Sequence, residues 1–201
     1  PLWKKCLSYF RELHLESLSS DYSDELHVYL SKGRYQLFTK NALHSFDDLY
    51  VHFDEAFQPL SIEKKNVKDV VVLGLGLGSI PFMLENKYAL DASYTAVEID
   101  EAVIYLAGKY SLYDFQSPIN YVCTDAEVFL SVNNEKYDLI CMDVFVDDVI
   151  PPQFETIEYL QNLQSQLTPN GILLYNRLSL LDSDIEKTNH YYNHIFKKVF
   201  P

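Results

Sequence analysis

A chain of 201 residues, 48% of them apolar, is long enough to bury one full core and a small appendage, and no apolar run approaches the roughly 18 residues of a spanning helix. Its 16 basic and 29 acidic residues give a formal charge of −13, and the basic residues gather only as the pairs Lys4-Lys5, Lys64-Lys65 and Lys197-Lys198. A phosphate backbone is held by dense Lys and Arg, so this balance excludes nucleic acid as a partner.

The opening PLWKKCLSYFRELHLES has no long apolar core and no small-residue cleavage site, which argues against a secretory signal. Cys6, Cys123 and Cys141 are an odd, widely spaced set, and the last two fall in predicted strands. That usage fits a reducing cytoplasm, with no membrane partner expected. From Glu25 to Thr39 two β-prone runs flank Lys32-Gly33, the signature of a hairpin. Asp47 to Phe57 is expected to be a helix, with Asp47-Asp48 in its first turn complementing the dipole and Pro59 stopping it. Residues 1–60 are therefore read as a small amino-terminal β and helical region, and 61–201 as the main domain.

After Lys68 strands alternate with helices, the pattern of an α/β fold whose mostly parallel sheet carries helices on both faces. The predicted strands are Val70–Leu73, Tyr94–Val97, Ile119–Cys123, Leu139–Met142 and Ile172–Tyr175. Asp100 to Tyr110 is a capped helix with a Val103, Leu106, Ala107, Tyr110 stripe; Ile157, Leu160, Leu163 and Leu167 make a second stripe. A last helix is expected over Asp184 to Val199. Sheets of this kind ordinarily continue with a final hairpin, so either the sheet is shortened here or the hairpin lies outside this sequence.

The chemistry is expected where glycines and carboxylates meet the carboxyl ends of the strands. Gly74, Gly76 and Gly78 form a G-x-G-x-G turn between the first strand and a helix with Pro81 in its first turn. A dinucleotide fingerprint would need a third glycine at 79, and that residue is Ser79. Glycines there let the backbone turn tightly and approach a nucleoside, although a turn of this kind can also be purely structural. Glu98, at the end of the second strand, can accept both ribose hydroxyls or simply be a solvated strand end. Asp125 follows the third strand and can cap a short helix over Ala126 to Leu130, which does not preclude ligand contact. Asp143 follows the fourth strand without such a structural role, making it the candidate reaction centre. The candidate cofactor-binding set is Gly74, Gly76, Gly78, Glu98, Ile99, Asp125, Ala126 and Asp143, with Asp143 also the catalytic candidate.

In this order and spacing, Val-Val-Leu-Gly-Leu-Gly-Leu-Gly, Val-Glu-Ile-Asp, Thr-Asp-Ala and Tyr-Asp-Leu-Ile-x-x-Asp resemble the spermidine synthase (polyamine aminopropyltransferase) superfamily. Asp143-Val-Phe145, Ile150-Pro151, Phe154-Glu-Thr156 and Leu167-Thr-Pro-Asn-Gly171 extend the likeness. The resemblance implies the class I methyltransferase fold and a bound S-adenosylmethionine or its decarboxylated form. It implies that Glu98 and Asp125 hold ribose and adenine, and that Asp143 helps deprotonate an attacking amine. It also implies self-association through the amino-terminal β piece, giving a homodimer.

The polyamine site departs from the family pattern. Where a second aspartate is expected the sequence has Val146, with Asp147 and Asp148 just beyond. The family's Leu-Asp-Gly-x-x-Gln falls on Leu37, Phe38, Thr39, Lys40, Asn41 and Ala42. A diamine needs its charges neutralised, so these apolar replacements speak against putrescine. Methyl transfer to a small-molecule or protein acceptor becomes the leading expectation. A diverged aminopropyltransferase and a catalytically silent nucleoside-binding or dimerising module are the alternatives. No Asn/Asp-Pro-Pro-aromatic signature follows the fourth strand, since Ile150 precedes Pro151-Pro152, so exocyclic-amine methylation of bases is not supported; no serine triad can be drawn around Ser79 or Ser179, and His190 with His194 lacks a third ligand, so no metal is expected.

Overall fold

The computed structural model describes residues 2–39, 43–146, 149–179 and 181–201. A short helix α1 (Leu2–Leu7) leads into an antiparallel sheet of β1 (Leu13–Leu18), β2 (Leu26–Ser31), β3 (Arg34–Phe38) and β4 (Leu43–Ser45), paired in that order. A 3-10 turn, Asp47–Leu49, and helix α2 (Val51–Leu60) then cross to a second sheet. Its elements run β5 (Asp69–Leu73), α3 (Ser79–Asn86), β6 (Ser93–Glu98), α4 (Glu101–Lys109), β7 (Ile119–Cys123), α5 (Ala126–Val132), β8 (Tyr137–Met142), α6 (Ile157–Ser165) and β9 (Leu167–Tyr175). Helix α7 (Asp182–Tyr191) continues through a π-helical turn, Tyr192–Phe196, into α8 (Lys197–Val199).

The second sheet has strand order β7-β6-β5-β8-β9 with every neighbouring pair parallel. Its central strands β5 and β8 carry continuous apolar runs, Val70–Leu73 and Leu139–Met142, because both faces are covered there. Val71, Leu73, Ile140 and Met142 face one core with Leu160 and Leu163 of α6, while Val70, Val72, Leu139 and Cys141 face the other with Phe53 and Phe57 of α2. The chain steps outward from β5 through β6 to β7, then returns to place β8 on the other side of β5. That reversal is the switch point at which open α/β sheets form a ligand crevice beyond their carboxyl ends.

The amino-terminal sheet has one covered face. In β2 buried and partly exposed residues alternate strictly, and Leu26, Val28 and Leu37 pack with Leu77, Val103 and Leu106, so the sheet lies against α4 and the glycine turn. The predicted hairpin is β2–β3, turning at Lys32 and Gly33, both at positive φ. Strand β1 was not foreseen, for a clear reason. Its pairing jumps between His14 and Glu16, and this bulge at Leu15 breaks the period-2 alternation that marks a strand in sequence.

Three expectations need correction. Asp47 and Asp48 open a 3-10 turn and not the α-helix, which starts at Val51. Asp47 sits in the 3-10 turn at φ +40, buried, and takes hydrogen bonds from the Tyr35 amide (2.8 Å) and the Ser111 hydroxyl, while Asp48 pairs with Arg34. Those tertiary partners outweigh a helix dipole worth well under ~1 kcal/mol at an exposed end. Pro59 lies inside the last turn of α2 and does not stop it; the helix ends at Leu60, where Ser61 turns left-handed at φ 47. Leu167 belongs to β9 and not to the α6 stripe, because α6 ends at Ser165 and the strand starts five residues earlier than its apolar run. A Cβ on Gly171 would lie 2.9 Å from the Tyr137 carbonyl, which lets this irregular part of the strand approach β8 closely.

Candidate functional site

The carboxyl ends of β5, β6, β7 and β8 bring the glycine turn, Glu98, Asp125 and Asp143 to one edge of the sheet. Gly74, Gly76 and Gly78 all have positive φ, at +87, +53 and +86, a conformation glycine adopts without the cost an L side chain would incur. Two of them also have packing reasons. A Cβ on Gly74 would stand 2.3 Å from the Asp143 carbonyl oxygen, and one on Gly78 would stand 2.6 Å from Leu112.

Glu98 is tied into the turn. Its Oε2 accepts from the Leu75 and Gly76 amides (3.0 and 3.4 Å), and its Oε1 from the Ile99 and Asp100 amides (2.9 and 3.2 Å). Burial raises its pKa, and those four amides pull it back down. The solvated-strand-end reading is thereby replaced: the carboxylate is a staple across the glycine turn. Ile99 next to it is 36% exposed, an apolar surface at the rim. Asp125 caps α5 through Oδ1, which accepts from the Glu127 and Val128 amides (2.7 and 3.3 Å). Its Oδ2 takes no hydrogen bond from the described residues, so capping leaves half the carboxylate unused. Ala126 is buried in the first turn of α5.

Asp143 has the most built environment. Its Oδ1 accepts from Asn176 Nδ2 (2.8 Å) and from the Tyr50 hydroxyl (3.1 Å), and its Oδ2 accepts from none of the described residues. Burial raises its pKa to about 6, with Asn176 and Tyr50 lowering it and the charge of Glu98 adding to the rise. Burial beside Asp143 pushes Tyr50 well above the ordinary phenol range, so Tyr50 stays a donor. One oxygen is thus anchored by two donors from separate elements.

Tyr50 and Asn176 were missed from the sequence. Asn176 directly follows β9, so the strand-end rule that selected Glu98, Asp125 and Asp143 applies to it equally. Nothing local marks Tyr50, which arrives from the junction between the sheets. Ser79, where a dinucleotide fingerprint has glycine, instead fastens the two sheets: its hydroxyl pairs with that of Ser45 (2.6 Å) and accepts from the Phe46 amide (3.1 Å). At the departures from the polyamine pattern, Phe38 packs edge-on against Tyr29 and Val146 is 65% exposed; Lys40, Asn41, Ala42, Asp147 and Asp148 lie outside the described residues.

A cavity of about 500 Å³ opens on the far side of Asn176, between α2, β9 and the π-helical turn. None of the candidate cofactor residues lines it. His190 and His194 stack at 4.2 Å, and among the described residues no group of three or more His, Cys, Asp or Glu is placed to hold a metal. No helix among them is long and apolar enough to cross a membrane.

No family model matches the chain. It is 30% identical over 117 residues to a probable polyamine aminopropyl transferase of Bifidobacterium longum, covering 58% of this chain and 26% of that protein. It is 31% identical over 115 residues to an N-terminal histidine N-methyltransferase of Emericella nidulans, covering 54% and 19%. The chain thus spans well under half the length of these curated relatives, and both are transferases. Among solved structures, the spermidine synthase of Thermotoga maritima superposes with a TM-score of 0.70 at 16% identity, over 92% of this chain and 64% of that one.

Proposed function

We propose that this chain, a member of the spermidine synthase-like superfamily with the class I methyltransferase fold, is an S-adenosylmethionine-dependent transferase, and that the group it transfers is a methyl. The observation that carries the reading is the set of carboxylates at the ends of β7, β6 and β8, two of them with one oxygen that takes no hydrogen bond from the described residues, on either side of the left-handed glycine turn that follows β5.

The residues suit a nucleoside with a charged tail. Glu98 would take the ribose hydroxyls, exchanging or sharing the amides it now accepts, because each of its oxygens already receives two donors. The free Oδ2 of Asp125 would accept from the adenine amine, and the exposed Ile99 would cover the ring. Gly74, Gly76 and Gly78 would leave room for backbone approach, and Ala126 would line the floor beside Asp125. S-adenosylmethionine, when bound, supplies an electrophilic methyl on a sulfonium. The protein's part is position and proton handling. Tyr50 and Asn176 fix the orientation of Asp143, so Oδ2 can orient the acceptor or the methionyl ammonium, or take a proton from a protonated nucleophile.

Methyl transfer is preferred over aminopropyl transfer because Phe38, Val146 and Ala42 stand where a diamine would need polar partners. The acceptor would be a small molecule or a protein. Residues 1–60 would serve as the accessory and self-associating part of a homodimer, and 61–201 as the cofactor domain. The free thiols of Cys6, Cys123 and Cys141 suit a cytoplasmic setting.

The decisive measurement is calorimetric titration with S-adenosylmethionine, its decarboxylated form, methylthioadenosine and NAD. Micromolar binding of S-adenosylmethionine that Glu98→Ala abolishes is the expected result. Preference for the decarboxylated form would move the reading to aminopropyl transfer, and no binding of any of the four would end it.

A further inference from the structure

Strand β9 is the last of its sheet and pairs with β8 on one side only. The Asn176 amide donates to the Met142 carbonyl (2.9 Å). Backbone groups along a strand turn to alternate sides, so the N–H and C=O of Leu173 and Tyr175 face away from β8, and neither residue's backbone has a partner on that side among the described residues. An unpaired edge is a template for another strand, and proteins blunt it with charge, proline or irregularity. The first half of β9 is blunted in this way, by Pro169, Asn170 and Gly171. The second half, Ile172 to Tyr175, carries no charged residue and no proline, and it keeps regular register with β8 from Leu139 to Met142.

The 500 Å³ cavity lies along the end of this second half. Its lining comes from both faces of the sheet: Phe53 and Ala56 belong to α2, which covers one face, and Tyr191 and Phe196 pack on the other. A cavity that wraps a sheet edge between two walls has the shape of an added strand. It accepts a segment whose backbone pairs with Leu173 and Tyr175 and whose successive side chains turn to opposite walls. Two adjacent apolar residues satisfy both walls. Because the walls stand on either side of the edge, the slot admits one strand and not the edge of a second sheet. Charge narrows the partner further. Arg177 in the wall is neutralised by Glu155, Glu55 lines the slot without a cationic partner among the described residues, and the chain carries −13. We infer that the edge of β9 binds an extended segment of another protein by strand addition, with two consecutive apolar residues in the slot and lysines or arginines flanking them. Such a segment lies two strand spacings, about 10 Å, from β8, and Asn176 at the end of the slot donates to Asp143. Treating the segment as the methyl acceptor rests on the proposed function, while the pairing itself does not.

The test follows amide hydrogen exchange of the whole chain by NMR as the end-blocked peptide Lys-Lys-Ser-Val-Phe-Ser-Lys-Lys is added, with no methyl donor present. Exchange at the Leu173 and Tyr175 amides should slow at least about tenfold at saturation, with the opposite edge, β7, unchanged. The same peptide N-methylated at its Val and Phe amides should bind at least about tenfold more weakly, because it loses a ladder hydrogen bond. Replacing its four lysines by glutamates should weaken binding several-fold, an effect that shrinks at high salt. Leu173→Pro removes an outward N–H at an edge, where proline is tolerated, and should abolish binding; the N-methylated peptide decides the matter if this variant fails to fold. Amides already protected in the free chain would put a second copy or the chain itself in the slot. That result, unchanged exchange with the first peptide, equal binding of the N-methylated or the acidic peptide, or full binding to a folded Leu173→Pro would each overturn the inference. Because no methyl donor enters the titration, failure here is separable from failure of the S-adenosylmethionine reading.

Discussion

The two sheets solve the same burial problem in different ways. The parallel sheet is covered on both faces, and strands β5 and β8 are buried along nearly their whole length. The antiparallel sheet has one buried face and depends on α4 and Leu77 to cover it. Its attachment is correspondingly polar: Ser20 to Asp100, Ser45 to Ser79, Asp47 to Ser111, and Glu16 to Lys109 and Tyr110. A core of interdigitated side chains is insensitive to pH, whereas a junction built on a buried carboxylate is not. The parallel sheet sets stability, and the junction sets how the amino-terminal sheet and Tyr50 meet the crevice.

The largest effect is expected in the parallel sheet. Leu139 is fully buried, so Leu139→Ala should cost about 4 kcal/mol through lost transfer energy and a cavity. Chemical denaturation should show both sheets unfolding together at lower denaturant; an amino-terminal sheet that kept its exchange protection would break the dependence described above.

Asp47 comes next. Burial raises its pKa to about 6, against the bonds from Ser111 and Tyr35 that lower it. The folded state therefore holds this proton more tightly than the unfolded one, and stability from this group is greatest at about pH 4 and below. It declines as pH rises toward about 6, by on the order of 3 kcal/mol in all. Asp47→Asn should flatten that decline in unfolding free energies measured from pH 4 to 7. An unchanged slope would mean that the junction carries no titrating charge.

The smallest effect sharpens what the junction contributes to chemistry. Tyr50→Phe removes one of the hydrogen bonds that lower the Asp143 pKa, so the pH at which activity is half-lost on acidification should move upward from about 6 by up to roughly one unit, equivalent to ~1.4 kcal/mol. A profile that stays in place would detach Tyr50 from the reaction centre.

Much of the parallel domain was readable from the chain because its signals are local. Continuous apolar runs marked β5 and β8, a glycine turn followed β5, and Glu98, Asp125 and Asp143 each lie within two residues of the carboxyl end of a strand. The resemblance to a known superfamily rested on those same residues. By contrast, β1 was hidden by a bulge, and the start of β9 by Thr168, Pro169 and Asn170, which interrupt the apolar run that marks the strand from Ile172.

The sequence by itself determined the parallel α/β architecture, the position of the glycine turn and the three strand-end carboxylates, since each follows from period, spacing and backbone chemistry within a few residues. Only the tertiary structure decided that Asp47 is a buried joint, that Tyr50 and Asn176 share one oxygen of Asp143, and that Glu98 staples the turn. These are contacts between groups from 12 to 93 residues apart, and their energies depend on burial and alignment, which no local pattern encodes.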